Sequence, residues 1–216
     1  MSSSKQRTDY HAKPRPEMIP FLPSHFERVL EVGCGDGDFS LGFAREAEVW
    51  GVEPSQAPAA KARERLAHVF ACTYDKAEPE LPNNYFDLII CNDVIEHIPS
   101  HDELLESLRC KLKPDGRLVA SVPNVRYLPH LKELLIDSDW HYGDEGILDR
   151  THLRFFTRKS ICRSLEEHGF SVECMKGINP AGGLWATLVS IGSALTLGAT
   201  SDMRFLQFAL RARRIR

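Results

Sequence analysis

Apolar and polar positions along the chain fall into short blocks with two different periods. Arg28-Val29-Leu30-Glu31-Val32 and Val49-Trp50-Gly51-Val52 are compact apolar runs that predict strands, and Val69 to Thr73 predicts a weaker third. Phe86 to Cys91 is continuously apolar, the pattern of a strand covered on both faces. Arg117 to Val122, Phe170 to Lys176 and Met203 to Ala212 complete the strands. Helical spacing predicts helices over Asp38–Ala47, Ser55–His68, His101–Leu112 and Thr157–His168. Lys113-Pro114-Asp115-Gly116 is a turn, and Gly169 suits a left-handed helix end.

Strands alternating with helices imply an α/β fold with a doubly wound, mostly parallel sheet. Two stretches interrupt the alternation. A cap insertion, 123–156, contains a candidate helix over Leu128–Ile136 and then Asp139-Trp140-His141-Tyr142-Gly143. An apolar helical insertion, 177–202, separates the last two strands. Long connections of this kind tend to carry function. The expected organisation is an N-terminal segment, 1–26, that is partly flexible, and a single domain, 27–216, carrying both insertions.

The glycine turn gives the first chemical clue. In Gly33-Cys34-Gly35-Asp36-Gly37-Asp38 the glycines allow a tight turn and close approach of backbone to a ligand. Glu53 ends the second strand, where a carboxylate can accept hydrogen bonds from both hydroxyls of a ribose. A nucleoside-containing cofactor fits both features. A dinucleotide fits less well, because Asp38 stands where its fingerprint needs a third glycine. Asp36 and Asp38 would also repel a pyrophosphate, whereas a cofactor bearing a sulfonium and an ammonium group tolerates acid nearby.

These residues resemble the first motif of class I S-adenosylmethionine-dependent methyltransferases, an apolar strand followed by GCGxG. Tyr74-Asp75-Lys76 is similar to their adenine-binding segment, Cys91-Asn92-Asp93-Val94-Ile95-Glu96-His97 to the segment after strand four, and Lys113 to Leu118 to the turn before strand five. The resemblance covers about Glu27 to Val122 with every element in order. It implies a Rossmann-like seven-stranded sheet with an antiparallel last strand, and S-adenosylmethionine as cofactor. By position, Gly33, Cys34, Gly35 and Gly37 would form the floor under the methionine part and Glu53 would hold the ribose. Asp75 would accept from the adenine amino group, and Asn92 would lie near the cofactor. The cap stretch Gly146 to Thr157 is similar to bacterial methyltransferases associated with glycan and polysaccharide biosynthesis.

A hydroxyl acceptor must lose a proton, and histidine suits that task. His152, in the cap, and His97, after strand four, are the candidate bases. The implied reaction is O-methylation of a small molecule or glycan, with a lipid-linked acceptor among the options. A non-catalytic module that binds S-adenosylmethionine or S-adenosylhomocysteine is the alternative. The remaining composition narrows the setting. Formal net charge is −3, which gives no basic field for nucleic acid, and no Asn-Pro-Pro-Tyr motif points to base amino groups. Six cysteines without a CxxC pair predict no metal site and, with no signal peptide visible, a cytoplasmic setting. The uncharged stretch Ala181 to Thr200 is diluted by glycine and hydroxyl residues; it reads as a buried or interfacial helix and a candidate for peripheral membrane contact. Oligomeric state is not legible in the sequence.

Overall fold

The computed structural model describes residues 15–215. The polar start, Met1 to Lys13, lies outside the described residues. Seven strands form one sheet: β1 (Arg28–Val32), β2 (Glu48–Val52), β3 (His68–Phe70), β4 (Phe86–Asn92), β5 (Leu112–Pro123), β6 (Phe170–Pro180) and β7 (Phe205–Arg214). Their order is β3-β2-β1-β4-β5-β7-β6, and β7 alone runs antiparallel to its neighbours. The helices are α1 (Gln56–Ala62), α2 (Tyr74–Ala77), α3 (His101–Lys111), α4 (Leu128–Leu135), α5 (Arg158–Glu167) and α6 (Gly183–Leu195). The Rossmann-like doubly wound fold expected from the alternation is the observed one.

Successive side chains of a strand point to opposite faces, so each apolar strand feeds two cores. Leu30, Val32, Ile89, Cys91, Leu118 and Ala120 join Leu105 and Leu108 of α3 and Ile161 and Leu165 of α5 in one cluster. Val29, Val49, Leu88, Ile90 and Val119 join Ala62, Leu66, Met18 and Phe21 in the other. Burying these side chains on both faces is the main stabilising term, at roughly 25 cal/mol per Å² of apolar surface. Met18 and Phe21 show that residues 16–21, a 3-10 helix, are anchored in the second core.

The elements differ from expectation in four places. The helix expected over Ser55–His68 ends at Ala62, with His68 already in β3, and Lys113–Gly116, expected as a turn, lies within β5. Asp38–Ala47 is not a helix but a run of turns around a 3-10 segment, Ser40–Gly42. Gly37 (φ +82°) opens the run and Gly42 lies within it, and both disfavour a continuous helix. Phe43 meets Phe26 and Phe39 edge-on at 5.2 and 5.9 Å, so the aromatic spacing is satisfied by packing instead. Tyr74–Ala77 forms one helical turn that the sequence pattern did not reveal. A capping box between Thr157 and Ser160 starts α5. Among the described residues no helix is long and apolar enough to cross a membrane. The apolar insertion is largely helix α6, with Leu184, Leu188, Ile191 and Leu195 exposed and Val189 buried.

Candidate active site

In an open α/β sheet the ligand crevice lies outside the carboxyl ends of the strands, beside the point where strand order reverses, here between β1 and β4. Gly33, Gly35 and Gly37 all have positive φ, at +72°, +54° and +82°. A Cβ on Gly33 would meet Val94 Cγ2 at 2.7 Å, so the turn packs directly on the segment after β4. The backbone N–H groups of Gly33 and Cys34 donate to the Val52 carbonyl at 2.8 and 3.2 Å, which ties the turn to β2. Cys34 is buried over Gly51, where a Cβ would stand 2.6 Å from its sulfur.

Glu53 is 3% exposed and spans the two strand ends. One carboxylate oxygen accepts from Gly35 N–H at 3.0 Å and the other from Ser55 N–H at 2.8 Å. Each oxygen keeps further accepting capacity for a ligand hydroxyl. Asn92, at the end of β4, has a buried side-chain oxygen and nitrogen with no hydrogen-bond partner among the described residues. Unpartnered buried polar atoms are costly, and here they stand at the ligand end of the sheet. A glycine cradle, a carboxylate with spare lone pairs and an unpartnered amide together fit a nucleoside cofactor carrying an amino-acid tail. Asp75 lies exposed in the first turn of α2, whose Tyr74 is anchored to Ser107 Oγ at 2.8 Å.

The charge picture is richer than the sequence suggested. Arg65 pairs with Asp38 and lies 3.6 Å from Asp36, so those two acids do not stand bare in the turn. Glu31, two residues before Gly33, is buried, and its carboxyl accepts from Ser40 Oγ at 2.5 Å. Burial, reinforced by Asp36 and Glu53, pushes its pKa up to about 8 against the pull of the Ser40 bond.

The segment after β4 holds the second group. Asp93 (φ +54°) accepts from Arg15 at 2.6 Å, Ser121 Oγ at 2.7 Å and Gln207 at 2.8 and 2.9 Å. His97 and His152, far apart in sequence, meet with ring centroids 4.6 Å apart. His152 is 8% exposed, and its Nδ1 lies 2.8 Å from the Ile147 carbonyl. His97 Nδ1 lies 3.2 Å from the Thr151 carbonyl. Burial, aided by His152, holds the His97 pKa below its usual value. Glu96 is wholly buried beside them, and desolvation with the nearby Asp93 raises its carboxyl well above the carboxylate range. Leu153 and Arg154 N–H groups donate to the Glu96 carbonyl at 2.8 and 3.1 Å, stitching the cap to the sheet. An open cleft of about 570 Å³ lies within the cap, bordered by Tyr127, His130, His141, Ile147, Leu148 and Leu206. A second hollow, at Arg117, Glu173 and Arg211, lies at the opposite end of the sheet, away from the glycine turn.

Comparison with known proteins decides the family. The model of a family described as a methyltransferase domain matches residues 5–175. The chain belongs to this methyltransferase family. A ubiquinone biosynthesis O-methyltransferase from Aeromonas salmonicida is 27% identical over 187 residues, covering 83% of this chain and 74% of that one. A trans-aconitate 2-methyltransferase from Variovorax paradoxus is 31% identical over 125 residues, covering 56% and 48%. The chain thus spans about half the length of several curated relatives it matches. Among solved structures, a SAM dependent methyltransferase from Archaeoglobus fulgidus superposes with TM-score 0.68 at 19% identity, covering 97% of this chain and 94% of that one. The chain is an S-adenosylmethionine-dependent methyltransferase. The structure brings the sequence-predicted Gly33, Gly35, Gly37, Glu53 and Asn92 together at the carboxyl ends of the strands. Glu31, Asp93, Arg15 and Glu96 were missed, although Glu96 directly precedes His97 and Glu31 sits in the first motif.

Proposed function

We propose that this methyltransferase transfers the methyl group to a hydroxyl oxygen of a small molecule bound between the glycine turn and the cap. The observation that carries the reading is the meeting of His97 and His152, one from the segment after β4 and one from the cap. The similarity to an O-methyltransferase over 187 residues supports the same acceptor atom. Both curated relatives named above act on small molecules by their names, which supports that class of acceptor over a glycan.

S-adenosylmethionine, when bound, supplies an electrophilic methyl group on a sulfonium sulfur. Gly33, Cys34, Gly35 and Gly37 hold the amino-acid part, Glu53 the ribose, Asp75 the adenine and Asn92 the nearby polar edge. The carbonyl oxygens facing Nδ1 of both histidines can only accept, so each neutral ring carries its proton on Nδ1. Nε2 is then the free base that takes the acceptor's proton, and the low pKa of His97 keeps its ring neutral at pH 7. The exposed apolar stripe of α6 supports contact with a lipid tail or membrane surface by an acceptor that carries one. The free state of the described cysteines is in keeping with a cytoplasmic enzyme.

The purified chain is incubated with S-adenosylmethionine and a panel of diphenols, hydroxy acids, sugars and amines, with S-adenosylhomocysteine formation as readout. Transfer to a hydroxyl compound, strongly reduced in His152→Ala with S-adenosylhomocysteine affinity within a few-fold, is expected. Transfer to amines alone would refute the acceptor class. Tight cofactor binding without any transfer would favour a non-catalytic binding module.

A further inference from the structure

The group Glu96, His97 and His152 has a feature that proton transfer does not explain. Glu96 is 0% exposed, and neither carboxylate oxygen has a hydrogen-bond partner among the described residues. A buried carboxyl without a partner costs several kcal/mol of desolvation, so a fold that keeps one there keeps it for a ligand. One donor atom from each of the three side chains lies within 4.8 Å of the other two.

We propose that Glu96, His97 and His152 bind one divalent cation of the zinc class. Two imidazole nitrogens and one carboxylate oxygen form the donor set of catalytic zinc sites, which leave a fourth position open. Ligand distances of about 2.0–2.2 Å require the three donors to draw together by roughly 1 Å from their present spacing, a side-chain adjustment. The histidines are already prepared for this. Each has Nδ1 set against a backbone carbonyl, Ile147 for His152 and Thr151 for His97, which leaves Nε2 with its lone pair. Metal-bound histidines are oriented by such a bond on the other ring nitrogen. Thr151 Oγ1 in turn donates to Asp149 at 2.6 Å, which steadies that carbonyl's loop. Asp93 is not part of the site, because Arg15, Ser121 and Gln207 already occupy it.

The cation would close the cap onto the segment after β4 and present its open position at the mouth of the crevice. A hydroxyl oxygen held there would lose its proton more readily, so with the cation bound this activation would replace the histidine-base step described above and keep the same acceptor class. This refinement rests on the acceptor reading above, but binding is testable without any acceptor. The cysteine spacing gave no hint of it, since the ligands are not cysteines and two of them lie 55 residues apart, from His97 to His152.

The test uses the full chain after dialysis against a chelator. Zn²⁺ is titrated by calorimetry and Co²⁺ by visible absorption, with S-adenosylhomocysteine binding measured in parallel. One equivalent should bind, with the d–d bands of a low-coordinate Co²⁺ and no thiolate charge-transfer band. Glu96→Gln and His152→Ala should each weaken binding by roughly tenfold or more while S-adenosylhomocysteine still binds. No binding at high micromolar cation, a thiolate band, or wild-type affinity retained in both variants would overturn the site. Loss of S-adenosylhomocysteine binding in the wild-type chain would count against the cofactor reading instead. If Glu96→Gln fails to fold, the Co²⁺ spectrum of the wild-type chain and of His152→Ala still decides.

Discussion

Glu31 offers a sharp test of the electrostatics beneath the glycine turn. Its carboxyl sits on the core face of β1 with Ser40 as its hydrogen-bond partner, and burial lifts its pKa to about 8. An unfolded glutamate titrates near about 4.3. The folded state therefore binds this proton more tightly, and the resulting stabilisation is complete below about pH 4. It is lost as pH rises through the interval from there to about 8. At about 1.36 kcal/mol per pH unit, Glu31 costs the fold roughly 3–4 kcal/mol more at pH 8 than at pH 5. Glu31→Gln keeps an oxygen for Ser40 and removes the titration. Of the other shifted acids, Glu48, Glu78, Asp87 and Glu173 have lowered pKa values and act in the opposite sense, while buried Glu96 is raised and acts in the same sense, so only the difference between variant and wild type isolates the effect. Melting temperatures of both proteins at pH 5 and pH 8, without cofactor, supply that difference. The gap in favour of Gln should widen by roughly 10 °C, given about 2–4 °C per kcal/mol for a chain of this size. A gap that is the same at both pH values would refute a buried proton on Glu31.

Two substitutions probe the crevice directly. Glu53→Ala strips the acceptor from Gly35 and Ser55 N–H, so S-adenosylhomocysteine affinity should fall at least tenfold by calorimetry, with about 1–3 kcal/mol lost in stability for the unpaired buried donors; unchanged affinity would show that the ribose is held elsewhere. Gly35→Val places a β-branched residue at φ +54°, which should cost on the order of 1–2 kcal/mol of backbone strain and abolish cofactor binding; normal affinity in a folded Gly35→Val protein would remove this turn from the cofactor site.

The chain's local patterns already determine the sheet and its crevice. Apolar runs such as Phe86–Cys91 must be covered on both faces, and Gly33, Gly35 and Gly37 mark a turn that only glycine makes cheaply. Glu53 is legible because it ends the next strand. These features depend on neighbours within a few residues, where steric and periodic rules act. The missing parts are those where distant segments meet. Arg15 reaches Asp93 across 78 positions, Arg65 pairs with Asp36 and Asp38 from beyond β2, and the cap brings His152 to Glu96 and His97. No periodicity encodes these contacts, because strand order, not chain order, sets which loops share an edge of the sheet. The Asp38–Ala47 stretch shows the same limit: its aromatic spacing is helical, yet Gly37, Gly42 and the pull of Phe26 on Phe43 give turns. Sequence alone thus determined the glycine turn and the strand ends beside it, and the packing of the folded chain decided which charges face one another around them.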